Sequence, residues 1–280
     1  MRLRILTLNT WKQDGDYPRR LVAMRRGLSA LTPDLVLLQE AFRTEEPHPE
    51  PGDTATVLAA ACGLESHPAP GRFKQRLWAG GPVRSSSGLA VLSRPGCWAP
   101  GADVELPSSP AGGDRRLQLG RWTGEPAGEG PGLMVGNLHL SHRADETPLR
   151  ARQLAVALET LARGMAEAGA PGLLGGDFNA PPDHPSLEPL TRGLARFGVT
   201  GAPCRRRGVL PPTHPLPARP DRAARAIDQV WWLALTGGSR EPPACTVERV
   251  LDQPDPATGV YPSDHAGLLL DLDWRIGASG

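Results

Sequence analysis

Acidic, amide and imidazole side chains of this chain stand at the edges of apolar runs, where they could hold a cation and a water molecule. Asp264-His265 comes directly before one apolar run, and Asp177 and Asn179 follow another. Asn9 and Glu40 each follow an apolar run nearer the N-terminus. Carboxylate and amide oxygens are the ligands that hard divalent cations prefer. These residues are therefore candidates for one metal-assisted site.

Two further residues add to this set. His139 is the second histidine that lies in a strand pattern, and Asp228 begins the run Ile-Asp-Gln-Val. Asp177 and Asn179 are two apart in a segment that we expect to be extended, so their side chains should point to the same side. Carboxylates, histidines and asparagines together are the groups needed for metal-assisted hydrolysis of a phosphoester. Singly, His139 could be a core histidine and Asp228 could cap a turn.

Runs of apolar residues with the length of β-strands recur along the chain. Several are nearly continuous rather than alternating, which is typical of strands covered on both faces. The predicted strands are Leu3–Leu8, Leu35–Leu38, Leu89–Leu92, Leu117–Trp122, Leu133–Leu140, Gly172–Leu174, Val230–Leu235, Val247–Leu251 and Leu268–Leu272.

Three segments have helical spacing of their apolar residues. Asp16 and Pro18 begin the first, Thr147-Pro148 begins the second, which ends before Gly169, and a shorter helix is predicted over residues 53–63. Glycine and proline concentrate in segments that we expect to be surface loops. These segments are 43–52, 95–114, 124–132 and 201–226. The pattern predicts a mixed α/β sandwich that forms one domain over residues 1–280.

The composition limits the class of protein. With 39% hydrophobic and 22% charged residues, the 280-residue chain is typical of a globular protein that buries a core. It has no apolar run of membrane-spanning length and no apolar leader, so we expect a cytoplasmic protein. The net charge of +1 gives no support to binding of long duplex nucleic acid. The four cysteines are scattered, which predicts free thiols.

Seven short motifs occur in the order found in the exonuclease–endonuclease–phosphatase superfamily, which the chain resembles. That superfamily includes pancreatic-type deoxyribonuclease, abasic-site endonucleases, neutral sphingomyelinases, deadenylases and inositol-polyphosphate phosphatases. The motifs reach across nearly the whole chain. They are Leu-Asn9-Thr-Trp, Leu-Gln-Glu40, Ser87-Gly88-Leu-Ala-Val-Leu-Ser93-Arg94, Asn137-Leu-His139-Leu, Gly-Asp177-Phe-Asn179, Ile-Asp228 and Ser-Asp264-His265.

The resemblance implies an α/β/β/α sandwich of four layers, in which two mixed sheets are covered by helices. It implies that Glu40 is the principal ligand of Mg²⁺ or Mn²⁺, and that Asn9 and Asp264 assist it. His265 would act as general base or would stabilise the phosphoryl oxygens, and Asp228 would hold it in place.

The resemblance also implies roles for the remaining motif residues. Asp177 and Asn179 would position the nucleophile, and His139 would contact a phosphate oxygen. Whether His265 or Asp177 takes the proton stays open. Arg150 and Gln153 fit a recurrent pattern of the family and could brace the site.

Departures from the family pattern also inform the interpretation. Some family nucleases carry a glutamate near the segment 85–88 that orients the histidine corresponding to His139, and small residues stand here instead. His139 would then be less tightly oriented or would bond another group. The Ala-Pro-Pro sequence after Asn179 lowers the support for an inositide phosphatase.

Substrate-binding residues are harder to select. We predict substrate contacts for Arg150, Trp78 and Arg205, and Arg205–Arg207 could also be a solvated loop. Trp78 and Trp98 lie in predicted loops, where either could stack on a base or contact lipid. Trp122, Trp231 and Trp232 lie in strand patterns, which predicts core positions.

Taken together, the residues and the resemblance predict a divalent-metal-dependent phosphoester hydrolase, and a nuclease-type phosphodiesterase best fits the family's commonest use. A sphingomyelinase-like phospholipid phosphodiesterase and a sugar or nucleotide phosphatase are the alternatives. We expect a small or single-stranded nucleic acid as substrate, with a phospholipid headgroup second, and no obligate protein partner. A binding module without activity is the remaining alternative, since fold does not fix function.

Overall fold

The computed structural model describes residues 2–48, 52–110, 113–126, 128, 132–205, 210–217, 223–237 and 243–273. The strands are β1 Arg2–Asn9, β2 Leu35–Thr44, β3 Glu65–Ala69, β4 Lys74–Trp78, β5 Gly81–Ser93, β6 Trp98–Glu105, β7 Arg116–Trp122, β8 Leu133–His139, β9 Gly172–Asp177, β10 Val199–Pro203, β11 Asp228–Leu235, β12 Cys245–Val250 and β13 Gly267–Asp273. The α-helices are α1 Tyr17–Leu31, α2 Thr54–Cys62, α3 Thr147–Ala168 and α4 Glu188–Thr191. Short 3₁₀ helices cover Pro185–Leu187 and Leu194–Phe197.

The strands form two sheets. The first has the order β12-β13-β1-β2-β5-β3, with β4 paired to β5, and the second has the order β10-β11-β9-β8-β7-β6. The pairs β1–β2 and β8–β9 are parallel, and the other described pairs are antiparallel. Both sheets are therefore mixed, as predicted.

Three apolar clusters hold the layers together. Between the sheets, Leu37 and Leu270 of the first sheet pack with Val135 and Leu173 of the second. A second cluster joins the outer face of the first sheet to α1 and α2, and a third joins the outer face of the second sheet to α3. Strands covered on both faces need apolar residues on both, which explains their nearly continuous apolar runs. The predicted α/β/β/α sandwich is confirmed.

The predicted helix boundaries follow from capping. The Asp16 carboxylate accepts a hydrogen bond from the backbone N–H of Arg19 at the start of α1, and Asp53 does the same for Thr56 at the start of α2. Gly169, with φ of +60°, ends α3 in the left-handed conformation. None of the helices in the described ranges is both long and apolar enough to span a membrane.

Three of the predicted loops include strand residues, and the start of the segment 43–52 belongs to β2. The segment 95–114 includes β6, an edge strand whose residues are mostly exposed and which includes proline and glycine. Such an edge strand lacks the apolar pattern on which the prediction relied. Trp98 begins this strand and is buried against Gly120, so the prediction that it could stack on a base or contact lipid is wrong. The start of the segment 201–226 belongs to β10.

The other aromatic and cysteine predictions agree with the fold. Trp122, Trp231 and Trp232 are buried, as expected for core residues. The cysteines are free thiols. Two parts of the predicted loop 201–226, residues 206–209 and 218–222, lie outside the described residues.

Candidate functional site

One edge of the sandwich collects the ends of strands from both sheets. In the second sheet, His139 pairs in register with Asp177, and Asp177 pairs with Asp228. These three residues therefore form a row across β8, β9 and β11. In the first sheet, β1 ends at Asn9, and His265 lies in the turn just before β13. We call these five buried residues the polar centre.

Asp177 lies in the middle of the polar centre. Its Oδ2 accepts a hydrogen bond from Asn9 Nδ2 at 3.0 Å, and His139 Nε2 lies 3.5 Å from the same oxygen. The contact to Asn9 joins the two sheets, because Asn9 belongs to β1 and Asp177 to β9. Burial and the charge of neighbouring Asp228 raise the pKa of Asp177 to about 7. Two carboxylates are thus held close together out of water.

His265 is oriented by Asp228. The ring N–H at Nδ1 donates to Asp228 Oδ2 at 2.9 Å, which leaves Nε2 directed toward Asp177 and Asp264, each 4.0 Å away. Burial alone would lower the pKa of His265, but the charge and hydrogen bond of Asp228, with Asp177 and Asp264, raise it to about 10. The other oxygen of Asp228, Oδ1, is buried and has no hydrogen-bond partner among the described residues.

His139 is oriented by an arginine rather than by a glutamate. Arg115 Nη1 lies 3.3 Å from His139 Nδ1, and Arg115 Nη2 lies 3.0 Å from Nδ1 of His142. Because arginine can only donate, Nδ1 of His139 accepts and its proton sits on Nε2, facing Asp177. Burial, with the positive charge of Arg115, lowers the pKa of His139 well below its usual value. His139 is therefore neutral and positioned between Arg115 and Asp177.

Glu40 lies at a β-bulge and not at a strand end as predicted. The pairing of β2 with β5 shifts register between Leu38 and Ala41, and Glu40 takes a φ of +52°, which is uncommon for a residue with a side chain. The bulge turns the carboxylate into the cavity beside the polar centre, where it lies 3.5 Å from Lys12 Nζ. β2 then continues to Thr44.

Buried polar side chains support the centre from behind. Gln39 Nε2 donates to Asn137 Oδ1 at 2.8 Å, and Asn137 Nδ2 donates to the carbonyls of Leu38 and Ala90. These bonds tie the two sheets together directly beneath Glu40 and His139. Arg20 is also buried, and it donates to backbone carbonyls of residues 10–12, 14 and 262. Arg20 thereby fixes the loop that carries Lys12.

Asn179 departs from the predicted extended geometry. It has a φ of +51°, and its backbone N–H donates to Asp177 Oδ1 at 2.8 Å, which closes a turn. Its side-chain amide donates to the carbonyl of Leu140. Asn179 therefore holds the Asp177 carboxylate and the end of β8, and the reason for its proximity to Asp177 is a turn rather than strand periodicity.

A cavity of about 730 Å³ opens beside the polar centre. Glu40 and His139 line it, together with six cationic residues, of which Lys12 pairs with Glu40 and Arg116 pairs with Asp103. We call the other four the basic wall: Arg72, Lys74, Arg76 and Arg115. Of the four, Arg72 is paired with Asp114, whereas no ion pair is found for the others within the described ranges. The cavity can therefore accept an anionic ligand.

The side-chain oxygen atoms at this edge are of the kind that bind a hard divalent cation. Glu40, Asn9 and Asp264, the predicted ligands, all offer oxygen atoms at this edge. The raised pKa of Asp177 and the unpaired Oδ1 of Asp228 mark a place where negative charge exceeds the local hydrogen-bond donors. Asp177, Asp228 and His265 have ligand atoms within 4.8 Å of one another. Glu40 is not part of that group, so the ligand set stays a prediction.

The residues predicted to bind substrate do not line the cavity beside the polar centre. Arg150 is buried, and its guanidinium donates to Ser186 and to the carbonyls of Ser141 and Arg143, so it braces the loop after β8. This geometry argues against the predicted substrate contact of Arg150. Gln153 braces the same loop, because its Oε1 accepts from the Ser141 N–H.

Trp78 and Arg205 also do not line the cavity beside the polar centre. Trp78 packs edge-on against Phe42 and Tyr17, with ring centroids 5.1 and 6.2 Å apart, and lines a different cavity. Arg205 is exposed and follows β10, where its backbone N–H bonds the Cys245 thiol. Cys245 pairs with Leu272, at the opposite end of β13 from the polar centre. The packing of Trp78 gives no support to its predicted substrate contact. The predicted contact of Arg205 stays a prediction, because Cys204 before it bonds the Val230 carbonyl, two residues along β11 from Asp228. Arg206 and Arg207 lie outside the described residues.

Sequence reasoning missed Arg115, Lys12, Arg20 and His214. Arg115 follows a glycine-rich segment and starts no apolar pattern, so only its contact with His139 reveals it. Lys12 and Arg20 flank the first motif, but nothing in their spacing marks them as different from exposed cations. His214 lies in a Thr-His-Pro-Leu-Pro segment, for which the sequence predicts a loop.

Comparisons with known proteins agree with this geometry. A model of the Endonuclease/Exonuclease/phosphatase family matches residues 6–265. Among solved structures, TDP2 from C. elegans is 15% identical with a TM-score of 0.68, over 97% of this chain and 75% of that chain. The human Nocturnin catalytic domain, solved with a bound sulfate anion, is 16% identical with a TM-score of 0.59, over 98% and 95%.

A third similar structure is bacterial. An endonuclease/exonuclease/phosphatase from Beutenbergia cavernae DSM 12333 is 24% identical with a TM-score of 0.62, over 99% of this chain and 72% of that chain. At these identities the structures show a shared fold. The comparison with curated protein sequences gave no match.

Proposed function

This chain belongs to the Endonuclease/Exonuclease/phosphatase family, and we propose that it hydrolyses a phosphodiester by attack of water, with a divalent cation as cofactor. One observation supports this most: five polar residues from distant parts of the sequence meet at one buried, hydrogen-bonded centre beside a cavity with a basic wall. They are Asn9, His139, Asp177, Asp228 and His265. A structural role alone does not account for two adjacent buried carboxylates, of which Asp228 has an oxygen without a hydrogen-bond partner among the described residues.

The protein residues in this proposal hold and orient the reacting groups. Asp228 fixes the His265 ring, so that Nε2 faces the attacking water or the phosphoryl oxygens. Asn9 and His139 fix the Asp177 carboxylate, which positions the water. Arg115, through its bond to His139 and its place on the cavity wall, contacts the phosphoryl group.

The proposed cofactor is Mg²⁺ or Mn²⁺, held by Glu40, Asn9 and Asp264. When bound, the cation polarises the phosphoryl oxygens and offsets the charge that develops on them. The bulge at Glu40 supports this assignment, because it turns the carboxylate into the cavity at the expense of an uncommon backbone conformation.

For the substrate, we favour a small or single-stranded nucleic acid. The basic wall extends the cavity away from the polar centre, which suits a ligand with more than one phosphate. Large exposed apolar side chains in the described ranges are limited to Val22 and Leu77. Two isolated residues give little support to insertion into a bilayer, and so to a phospholipid substrate. A cytoplasmic location and the absence of an obligate protein partner stay predictions from sequence.

The first experiment is hydrolysis of bis-p-nitrophenyl phosphate with Mg²⁺ or Mn²⁺, with and without a chelator. We expect hydrolysis that the chelator abolishes and that added metal restores. Hydrolysis that survives exhaustive chelation would contradict the cofactor. A panel of single-stranded DNA, abasic duplex, RNA, sphingomyelin and inositol phosphates then identifies the substrate class, and inactivity on every member would favour the non-catalytic binding module.

A further inference from the structure

The loop that contains His214 is fixed against the turn that contains Asp264 and His265. His214 exchanges two backbone hydrogen bonds with Arg225, at 3.2 and 2.9 Å. The backbone N–H of Leu216 donates to the carbonyl of Asp264 at 2.7 Å, and that of Ala266 donates to the carbonyl of Thr213 at 2.8 Å. The backbones of both segments are therefore held in one arrangement.

Three side chains from these segments point toward one another. His214 Nε2 lies 3.7 Å from Asp264 Oδ2, and His265 Nε2 lies 4.0 Å from Asp264 Oδ1. The two imidazole rings lie with centroids 4.5 Å apart, inclined by 41°. The ligand atoms of all three residues lie within 4.8 Å of one another, so small side-chain rotations bring them to one cation.

The surroundings of the two rings differ, and only His265 has the hydrogen bond typical of a metal-binding histidine. A histidine that binds a metal through one nitrogen usually donates its other N–H to a carboxylate or carbonyl, which fixes the ring. His265 already does so, because its Nδ1 donates to Asp228 and its Nε2 faces Asp264. His214 Nδ1 is buried without a hydrogen-bond partner among the described residues. No bond at Nδ1 therefore prevents the His214 ring from turning to present either nitrogen.

Two of the three residues line an opening of their own, and His265 lies directly behind them. A cavity of about 380 Å³ contacts His214 and Asp264, and Trp11, Pro215 and Tyr261 form part of its wall. Glu40 and the basic wall line the other cavity and not this one. A cation can thus approach Asp264 through a cavity other than the one that Glu40 lines.

We infer that His214, Asp264 and His265 form a binding site for a transition-metal dication of the Zn²⁺ type. Two imidazoles and one carboxylate favour Zn²⁺ and its neighbours in the first transition row, whereas Mg²⁺ prefers oxygen ligands alone. The site shares His265 with the polar centre. Occupation of His265 Nε2 by such an ion would withdraw this residue from hydrolysis, so the site is inhibitory.

Metal binding is tested directly, without reference to activity. Purified, chelator-treated protein is titrated with Zn²⁺ by calorimetry, and with Co²⁺ while its visible absorption is recorded. We expect one ion per chain, and binding at least tenfold weaker in His214→Phe, which keeps a planar ring beside His265 but has no ligand atom. His184→Gln serves as the matched control, because His184 is a half-exposed histidine bonded to Ser186 and is not within ligand distance of Asp264 and His265.

Several outcomes would overturn the inference: equal Zn²⁺ affinity in wild type and His214→Phe, a comparable loss of affinity in His184→Gln, or no binding by wild type. Circular dichroism and the melting temperature without metal check that the variants are folded, and His214→Gln replaces the phenylalanine variant if that one is not. A Zn²⁺-dependent rise in melting temperature of wild type, reduced in the His214 variant, is expected as a second readout.

The inhibitory consequence rests on the proposed function and is tested separately. In the presence of Mg²⁺, we expect Zn²⁺ to reduce hydrolysis by wild type at concentrations that leave His214→Phe active. Equal inhibition of both proteins would remove the inhibitory role. If the chain hydrolyses no phosphoester, the binding titration still decides whether the metal site exists.

Discussion

The polar centre and the basic wall lie side by side and are built in opposite ways. The five residues of the centre are almost fully buried, with Asp177 and Asp228 at 1% and 0% exposure, and each stands on a strand or directly beside one. The wall consists of long cationic side chains on hairpins and loops, and the Arg72 side chain is 73% exposed. The centre has fixed positions, whereas the wall includes exposed charge at Arg72 and Lys74 and half-buried charge at Arg76 and Arg115, which bond Ser85 and His139.

This difference separates two contributions to turnover. Groups that act on the reacting atoms must be held within a fraction of an ångström, and strand backbones with mutual hydrogen bonds provide that rigidity. Groups that attract an anionic substrate need only the right sign of charge near the cavity. We therefore expect changes in the centre to alter kcat and changes in the wall to alter KM. Arg115 belongs to the wall but bonds His139, so it connects the two.

The largest effect is expected for His265→Ala. Loss of a positioned acid, base or charge-stabilising group lowers turnover by about 10²–10⁴-fold. Steady-state kinetics on bis-p-nitrophenyl phosphate should show this fall in kcat with little change in KM.

The melting temperature and circular dichroism of His265→Ala should stay near those of wild type, since the fold relies on the apolar layers. Wild-type turnover in this folded variant would remove His265 from the mechanism. A rise in KM alone would instead mean that the centre binds substrate as the wall does, and the comparison between the regions would fail.

The polar centre could be predicted from the sequence because its residues interrupt apolar strand patterns. His139, Asp177 and Asp228 each stand where an apolar run meets a polar residue, and the strand ends meet in the fold. The bulge at Glu40 and the turn at Asn179 were not predictable in this way. Both depend on positive φ values, which no periodicity of side chains encodes.

The second largest effect is expected for Arg115→Ala, which we compare with the same substitution at the neighbouring Arg116. Arg115→Ala removes hydrogen bonds to a charged ligand that are worth about 1.5–3 kcal/mol, so KM should rise at least about tenfold. A smaller fall in kcat is expected because His139 loses its partner. Arg116→Ala is the matched control, since the Arg116 guanidinium is paired with Asp103 and Glu105. Equal effects of the two substitutions would mean that only the overall charge matters.

The basic wall could not be predicted because its residues come from segments without a pattern. Arg72, Lys74 and Arg76 lie around an exposed hairpin, where alternating polar residues are ordinary. The sequence instead suggested Arg150, Trp78 and Arg205, of which Arg150 is buried and bonded to backbone carbonyls. Which cations face a cavity is decided by how the hairpins pack on the sheets, and that information is not local.

The third effect concerns stability and pH. The folded pKa of Asp177 is raised to about 7, so the folded protein favours its neutral form. The stability contributed by this group is therefore fully present below its unfolded pKa, near about 3.9, and is lost as pH rises through about 7. The Asp177→Asn variant has no titrating carboxyl at this position, so it does not lose this stability as pH rises. The variant's stability relative to wild type should increase by more than about 1 kcal/mol between pH 5 and pH 8.

Urea unfolding of metal-free wild type and Asp177→Asn at several pH values measures this difference. Only its change with pH is diagnostic, because the asparagine amide also meets the donors of Asn9 and His139, which adds a constant penalty. Arg72→Ala, in the wall, should show a pH-independent difference from wild type over the same range. If the stability difference between wild type and Asp177→Asn does not change with pH, the pKa of Asp177 is not raised in the metal-free protein.

The smallest effect is expected for Arg205→Ala, which tests the predicted substrate contact of this residue. The Arg205 side chain is exposed and does not line the cavity beside the polar centre. Cys204, which precedes it, bonds the Val230 carbonyl, about 7 Å along β11 from Asp228. Solvent and salt screen most of an exposed charge that does not contact the ligand. We therefore expect KM for bis-p-nitrophenyl phosphate and for a short oligonucleotide to change less than about twofold at physiological salt. A rise in KM confined to the oligonucleotide would show that a longer substrate reaches Arg205, and the binding surface would then extend beyond the basic wall.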